Sequence, residues 1–173
     1  MEPADDTTRK LSVGRVLGVI VVLSFVVMWI YIFANTGRYK PVAYLEDRRF
    51  PEAAQPICAT TEEALATLPR AQDARTATER SVVIDQATDL LVQMQTDLRA
   101  VVPVGGEREK FIRQWIDDWS IYLQDRRDYA AGLRKDSQAE FLVTPKYGAQ
   151  LSKSMDNFAD TNRMESCATP GDV

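Results

Sequence analysis

The sequence contains no histidine and only two cysteines among its 173 residues. Histidine is the commonest general base and the commonest ligand of transition metals, so its absence removes the usual way of activating a serine or cysteine nucleophile. The sequence also lacks a Gly-x-Ser-x-Gly elbow, a glycine-rich phosphate loop, a His-Glu-x-x-His motif and a Cys-x-x-Cys motif. We therefore expect a non-catalytic protein that needs no cofactor and no metal.

An excess of basic residues is missing as well. The chain has 21 Lys and Arg against 25 Asp and Glu, a net charge of −4, and residues 35–173 alone carry 18 basic and 22 acidic groups. Nucleic acid binds to basic faces, and anionic lipid attracts basic clusters. The charge balance argues against a nucleic-acid partner and against docking on anionic lipid beyond a membrane anchor.

Charged residues are absent from one continuous stretch, residues 16–34, in which Ser24 is the only clearly polar residue. At a rise of ~1.5 Å per residue, this stretch forms a helix about as long as the hydrocarbon core of a bilayer is thick. The competing interpretation is a cleaved signal peptide, for which Ile32-Phe33-Ala34 would be a poor cleavage site. The apolar run exceeds the roughly 7–15 residues of a signal-peptide core, so we predict an uncleaved transmembrane helix that crosses the cell membrane once.

The orientation of this span is not decided by charge, because basic residues flank both of its ends. Cys58 and Cys167 lie at the two ends of the region after the span, where one disulfide would close that region. Disulfides persist in oxidising compartments, which favours residues 1–15 as a cytoplasmic stub and the later domain as extracytoplasmic. The alternative is a pair of unrelated free thiols.

The region after the span begins with three prolines among residues 35–57. Because prolines disfavour a long helix, an extended and partly packed tether is predicted there, and the bundle domain is placed at residues 58–167. The run Thr60-Thr61-Glu62-Glu63 has the pattern of a capping box. It predicts that a short helix begins at this point and stops at Pro69.

Two long helices are predicted in the middle of the domain. A capping box at Thr76 and Glu79 opens the first helix, which runs to Val102, and the second runs from Glu107 to about Lys135. Both carry residues at alternating spacings of three and four, which is typical of a packed helical seam. The seam residues are Ile84, Ala87, Leu91, Met94, Leu98 and Val101 on the first helix, and Ile112, Trp115, Trp119, Tyr122, Arg126, Tyr129 and Leu133 on the second. The short connection predicts antiparallel packing.

The last part of the domain is predicted to hold one more main helix. Ser137-x-x-Glu140 predicts about one helical turn, and Thr144-Pro145 predicts the start of an amphipathic helix that runs to about Cys167. Residues 168–173 are predicted to be a frayed tail. The fold class is therefore all-α: a single N-terminal transmembrane helix followed by an extracytoplasmic antiparallel bundle of about three main helices, with no competing strand pattern.

Two groups of side chains have both a functional and a structural interpretation. Trp115, Trp119 and Tyr122 could line a ligand cage, but helical spacing on a seam is typical of core residues. Six aspartates on the two long helices could bind a cation, but the seam pattern puts them mainly on faces that water covers. These are Asp85, Asp89, Asp117, Asp118, Asp125 and Asp128. We expect plain core and solvated charge.

Arg126 is the charged residue that occupies the seam, opposite Ala87. An unpaired buried charge is costly, so this guanidinium must find an acceptor or reach water. Tyr122 and Tyr129, one turn on either side, are expected to stack on it. The alternative is that Arg126 reaches solvent along its aliphatic stem. The candidate acceptors are a partner protein and the third helix, through Asn162, Asp156 or Asp160.

The expected function is that of a membrane-anchored, non-catalytic accessory or assembly subunit whose external bundle docks on another membrane or envelope protein. Its partners are then the lipid bilayer and a protein. A ligand-binding or sensing domain with a site among the aromatic residues is the first alternative, although a short cytoplasmic stub offers a sensor little output. An enzyme that works with carboxylates alone is the second, and no arranged pair of carboxylates supports it.

Overall fold

The computed structural model describes residues 13–36, 41–106 and 108–172. The chain divides into two compact units, one up to Pro41 and one from Val42 onward. Residues 1–12 of the predicted stub and residues 37–40 of the predicted tether lie outside the described residues.

The first unit is a single helix, α1 (Val13–Thr36). It extends the predicted span by three residues at the start and two at the end, which makes it roughly 36 Å long at ~1.5 Å per residue. The stretch Val13–Ala34 is long and apolar enough to cross a membrane, and none of it is buried within the protein. Within it, the rings of Trp29 and Phe33 stack with centroids 5.4 Å apart. The predicted helix is confirmed, and its length and composition suffice for a membrane span. That it crosses a membrane stays a prediction.

A helix occupies part of the region where a tether was predicted. Residues 42–48 are irregular, but α2 (Arg49–Ala66) covers residues 49–57 of the predicted tether. Pro51 lies in the first turn, where its missing N–H has no partner to lose, whereas Pro56 lies inside the helix. Three fully buried residues at a spacing of four, Phe50, Ala54 and Cys58, explain why α2 persists. Their burial on one face outweighs the lost hydrogen bond.

The predicted capping box at Thr60 is wrong because α2 is already under way at that point. The Thr60 hydroxyl donates a hydrogen bond back to the carbonyl of Pro56, 3.0 Å away, as hydroxyls inside helices do. A short 3-10 helix (Ala71–Asp73) follows α2. The second predicted box is confirmed: Thr76 accepts from the amide of Glu79, and the Glu79 carboxylate accepts from the amide of Thr76.

The two long helices are α3 (Ala77–Ala100) and α4 (Glu109–Leu133). The ion pairs between them show that the helices run in opposite directions. Arg99, near the end of α3, pairs with Asp117 in the first half of α4, and Asp85, near the start of α3, pairs with Arg134 just after α4. The predicted antiparallel hairpin is therefore confirmed. The seam residues are buried except for Val101 and Tyr129, which are half-buried. An aromatic row occupies the core, and Trp115 donates from its indole nitrogen to the carbonyl of Met155 at 3.1 Å.

The third main helix begins later than predicted because a hairpin precedes it. Strands β1 (Pro145–Lys146) and β2 (Ala149–Gln150) pair antiparallel around a two-residue turn, and α5 (Leu151–Thr161) follows directly. Tyr147 and Gly148 in this turn have φ angles of 52° and 80°. The predicted helix start at Thr144-Pro145 is wrong, as is the expectation of no strands.

Two further expectations for the last part of the chain are wrong. No helix forms at Ser137-x-x-Glu140. The third helix ends at Thr161, and Glu165–Cys167 is a separate 3-10 helix that follows a left-handed residue, Arg163 at φ 56°. The chain therefore changes direction before Cys167 and carries residues 168–172 back over the bundle.

Candidate docking site

A disulfide joins α2 to the second 3-10 helix, as predicted. Cys58 and Cys167 are bonded, are both fully buried and are separated by 109 positions in the sequence. The bond fixes the place where residues 168–172, which we call the C-terminal segment, leave the bundle. In the chain-entropy model, closing a loop of this size stabilises a fold by about 4–5 kcal/mol.

Arg126 is fully buried in the seam, with 0% of its surface exposed. Its Nε donates to the Thr88 hydroxyl at 3.0 Å, and its two terminal nitrogens donate to the two carboxylate oxygens of Asp172 at 2.6 and 2.7 Å. The alternative in which Arg126 reaches solvent is therefore wrong. The acceptor also differs from the predicted ones, since it belongs to the C-terminal segment and not to α5.

The two tyrosines that flank Arg126 behave differently. The guanidinium carbon of Arg126 lies 6.0 Å from the ring centroid of Tyr122, whereas Tyr129 packs on Phe141 with centroids 5.5 Å apart. Burial by itself would lower the pKa of Arg126, but the hydrogen bonds and charge of Asp172 outweigh it, so the pKa is raised. Burial also raises the pKa of the Tyr122 phenol, against an opposing effect of Arg126. Arg126 is therefore charged and Tyr122 neutral at ordinary pH.

The C-terminal segment is attached to the bundle at three points, which corrects its prediction as a frayed tail. Thr169 donates from its amide and its hydroxyl to the two carboxylate oxygens of Asp156, at 2.7 and 3.2 Å. The Tyr122 hydroxyl donates weakly to the carbonyl of Pro170 at 3.4 Å. Asp172 completes the attachment on Arg126. The sequence offered no signal for this docking, because the segment has no helical or strand periodicity.

Two aspartates of α4 hold the β1–β2 hairpin against the bundle. Lys146 donates to both oxygens of Asp118 at 2.6 Å, and Asp118 is only 7% exposed. Asp125 accepts from the amide and the hydroxyl of Thr144, at 2.7 and 2.8 Å. The expectation that water covers all six aspartates is wrong for Asp118, because the hairpin lies over it. Tyr147, at the tip of the hairpin, is 84% exposed.

Asn162 has a structural role that the sequence did not reveal. Its side chain is fully buried, accepts from the amide of Leu45 at 2.7 Å and donates to the carbonyls of Ala43 and Phe158 at 3.0 and 2.9 Å. It therefore anchors the irregular residues 42–48 on the end of α5. This use of Asn162 leaves it unavailable to Arg126.

A groove with a volume of about 510 Å³ lies between α2, α3 and the C-terminal segment. From Val83 to Met94, α3 lines it over a length of roughly 16 Å, at ~1.5 Å per residue. The inner surface is mostly apolar, and three exposed charged residues also line the groove: Glu62, Glu165 and Arg70. Arg70 lies 3.9 Å from the carboxylate of Asp73, whereas Glu62 and Glu165 have no cation among the lining residues beside them other than Arg70. The apolar lining includes Leu65, Leu68, Ala71, Ala87 and Leu91. The groove is therefore an open surface beside the disulfide and the C-terminal segment.

Among the residues that the structure describes, no group of three or more cysteine or acidic side chains is arranged to hold a metal ion. The aspartates on α3 and α4 are instead distributed among separate contacts: Asp85, Asp117, Asp118 and Asp125 each have a different partner. Trp115, Trp119 and Tyr122 are all buried in the core, so they do not line an open cage.

No protein-family model matches the sequence, and neither a curated protein nor a solved structure matches it significantly.

Proposed function

We propose that the protein is a single-pass membrane subunit whose helical bundle lies outside the cytoplasm and docks on another membrane or envelope protein without catalysing a reaction. The observation that carries this proposal is the groove of about 510 Å³ beside the disulfide. Its inner surface is apolar, and its exposed charged residues are Glu62, Glu165 and Arg70, of which Arg70 lies beside Asp73. This lining suits a polypeptide that presents apolar side chains next to a basic one that pairs with Glu62. The apolar helix α1 would hold the bundle at the membrane where such a partner resides.

The chemistry of the core supports docking over catalysis. The buried polar side chains Arg126, Asp118 and Asn162 are each engaged in contacts that hold one part of the fold on another. A general acid or base needs an accessible position next to the reacting atoms. Here Arg126 holds the C-terminal segment, Asp118 holds the hairpin and Asn162 holds residues 42–48 on the bundle.

The test is recovery of the partner by crosslinking and gentle detergent extraction of tagged full-length protein, followed by mass spectrometry. Glu62→Arg places a bulky cation at the groove rim, and Glu63→Arg makes the same change at the adjacent exposed position, which does not line the groove. We expect one membrane or envelope protein to be recovered with the wild type and with Glu63→Arg, and to be reduced about tenfold or more with Glu62→Arg. Equal recovery with both variants, or recovery of the protein alone, contradicts the proposal.

A second candidate function is the binding of a small ligand in the same groove. Its volume falls within the range of small-molecule sites, roughly 300–1,000 Å³. In that case native mass spectrometry of the extracted protein would show one bound small molecule that Glu62→Arg removes, with no protein recovered alongside.

A further inference from the structure

The fold builds a receptor for a carboxylate from residues of α3 and α4. The two terminal nitrogens of Arg126 point to the same side and are both free to donate to one carboxylate. The Thr88 hydroxyl accepts from Nε, and the Tyr122 ring centroid lies 6.0 Å from the guanidinium carbon. We call these three side chains the Arg126 socket. A planar guanidinium held in this way binds a carboxylate with two parallel hydrogen bonds.

The helices that build the socket do not fill it. Asp125, the preceding residue of α4, accepts from Thr144, and Asp156 of α5 accepts from Thr169 of the C-terminal segment itself. The carboxylate that binds Arg126 comes from Asp172, 46 positions further along the chain. All three socket residues belong to α3 and α4, so the C-terminal segment supplies only the carboxylate that fills the socket.

The segment has the features of a replaceable occupant. Its side chains are small, Ala168 and Gly171 are exposed, and Asp172 is 31% exposed although its partner Arg126 is fully buried. The segment also forms one wall of the groove. A polypeptide in the groove therefore meets the segment along its length.

We propose that the Arg126 socket is a recognition site for an aspartate on an extended polypeptide, that Asp172 fills it within the chain, and that a partner segment of like chemistry displaces residues 168–172. The partner segment carries a hydroxyl residue three positions before its aspartate, because Thr169 and Asp172 make the two polar anchors at Asp156 and Arg126. Small residues between them suit the path that Pro170 and Gly171 now take. This inference rests on the proposed docking function and adds the chemistry of a second stretch of the partner, beside the apolar and basic stretch that the groove would hold.

A polypeptide fits this site better than a free carboxylate does. The socket offers one cationic anchor, and Asp156, which binds the Thr169 amide and hydroxyl, offers a second anchor that accepts only donors. A free carboxylate gains the first contact and is repelled by the second. A segment with both groups joined by two residues gains both contacts in one binding event.

The test measures binding of a synthetic peptide, acetyl-Ala-Thr-Pro-Gly-Asp-amide with a fluorescent label, to full-length protein in detergent micelles by fluorescence anisotropy. Its sequence is that of residues 168–172. The tethered segment competes with it at an effective concentration on the order of mM, so the wild type binds the peptide weakly. Asp172→Asn weakens the internal occupant, and we expect it to bind the peptide about tenfold or more tightly than the wild type.

Two controls assign the binding to the socket. The double variant Asp172→Asn/Arg126→Met, and a peptide with Asn in place of Asp, should each bind about tenfold or more weakly than the matched Asp172→Asn protein and Asp peptide. Equal affinity for the single and double variants overturns the proposal, as does no binding to an Asp172→Asn protein whose circular dichroism is that of the wild type.

A second variant covers the case in which Asp172→Asn does not fold. Thr169→Val loosens the segment at Asp156 and leaves Arg126 paired, and it should raise the affinity for the peptide above that of the wild type. An unchanged affinity would show that the segment does not exchange. Failure of the peptide to bind leaves recovery of the partner through the groove rim unaffected, so the two proposals fail separately.

Discussion

At the residue scale, the ion pair of Arg126 and Asp172 joins a fully buried cation to a partly exposed anion. The two ends should therefore respond differently to mutation. Asp172→Ala leaves a buried guanidinium without its carboxylate, so we expect it to lower the free energy of unfolding by about 3 kcal/mol or more. Arg126→Met keeps the packing volume and frees Asp172 to turn towards water, so a loss of only about 1 kcal/mol is expected.

Urea denaturation of both variants checks this asymmetry, with Asp160→Ala, a change at an exposed acid of α5, as the control for removal of a negative charge. If Asp172→Ala and Arg126→Met lower the free energy of unfolding equally, the burial of the remaining charge does not determine the loss of stability.

Tyr122 supplies a second residue-scale prediction, at alkaline pH. Burial raises the pKa of its phenol above the ordinary value near 10, against the opposing effect of Arg126. The folded-state pKa of Tyr122 lies above the unfolded one. The contribution of its neutral phenol to the free energy of unfolding is therefore fully present below about pH 10 and is lost as pH rises through the folded-state pKa. Titration of tyrosinate absorbance should show a late step that Tyr122→Phe removes and Tyr147→Phe retains. A late step that persists in Tyr122→Phe would contradict the assignment.

Sequence reasoning at this scale identified Arg126 but not its partner. A charged residue in an apolar seam is visible as a break in a periodic pattern. Its acceptor was not visible, because Asp172 comes from an irregular segment whose position depends on a disulfide and on the Thr169 contact with Asp156. Asp118 was missed for a related reason, since it is covered by a hairpin 28 positions further along the chain whose short strands have no readable pattern.

At the element scale, the β1–β2 hairpin depends on a turn with an unusual occupant. Both central residues of the turn, Tyr147 and Gly148, have positive φ angles. Glycine adopts this conformation freely, whereas it is strained for a residue with a bulky side chain such as tyrosine. Tyr147→Asn should therefore raise the free energy of unfolding by about 0.5–1 kcal/mol, and Gly148→Ala should lower it by about 1 kcal/mol. Thermal melts of the two single variants check the opposite signs, and a stabilising Gly148→Ala would disprove the strain argument.

The elements that could be predicted are those with long periodic patterns. The pair α3 and α4 follows from two seams of about five and six turns and a short connection, and the Thr76 box marks where α3 begins. The start of α2 could not be predicted, because local proline chemistry opposes a helix there and only the tertiary burial of Phe50, Ala54 and Cys58 favours it. The hairpin was hidden because each of its strands is two residues long.

At the scale of the whole molecule, the disulfide should be the largest single contribution to stability. Cys58→Ser/Cys167→Ser opens a loop of 109 residues, and we expect the free energy of unfolding to fall by about 4 kcal/mol. Denaturation of the double variant, compared with the wild type with and without reductant, is the measurement. A loss below about 1 kcal/mol would contradict the entropic argument. The pair itself was predictable, because the chain has only two cysteines.

The proposed orientation makes a second prediction at this scale. With residues 1–15 inside and the bundle outside, a reporter active only in the cytoplasm and fused after residue 173 should be silent, and alkaline phosphatase, which needs an oxidising compartment, should be active at the same position. The reciprocal pair of fusions ahead of α1 should give the opposite result. A cytoplasmic signal from the fusion after residue 173 would reverse the proposed topology.

The bond between Cys58 and Cys167 also sets the path of mechanical force. A pull applied between α1 and residues 168–172 passes from Cys58 to Cys167 through the sulfur atoms and bypasses residues 59–166. Without the bond, the intervening chain could extend to roughly 370 Å at ~3.4 Å per residue. With the bond in place, none of that length is released, so α3 and α4 bear no tension. In the proposed topology, a partner that held the C-terminal segment would be connected to the membrane through the disulfide and residues 42–58, and residues 59–166 would stay folded under load.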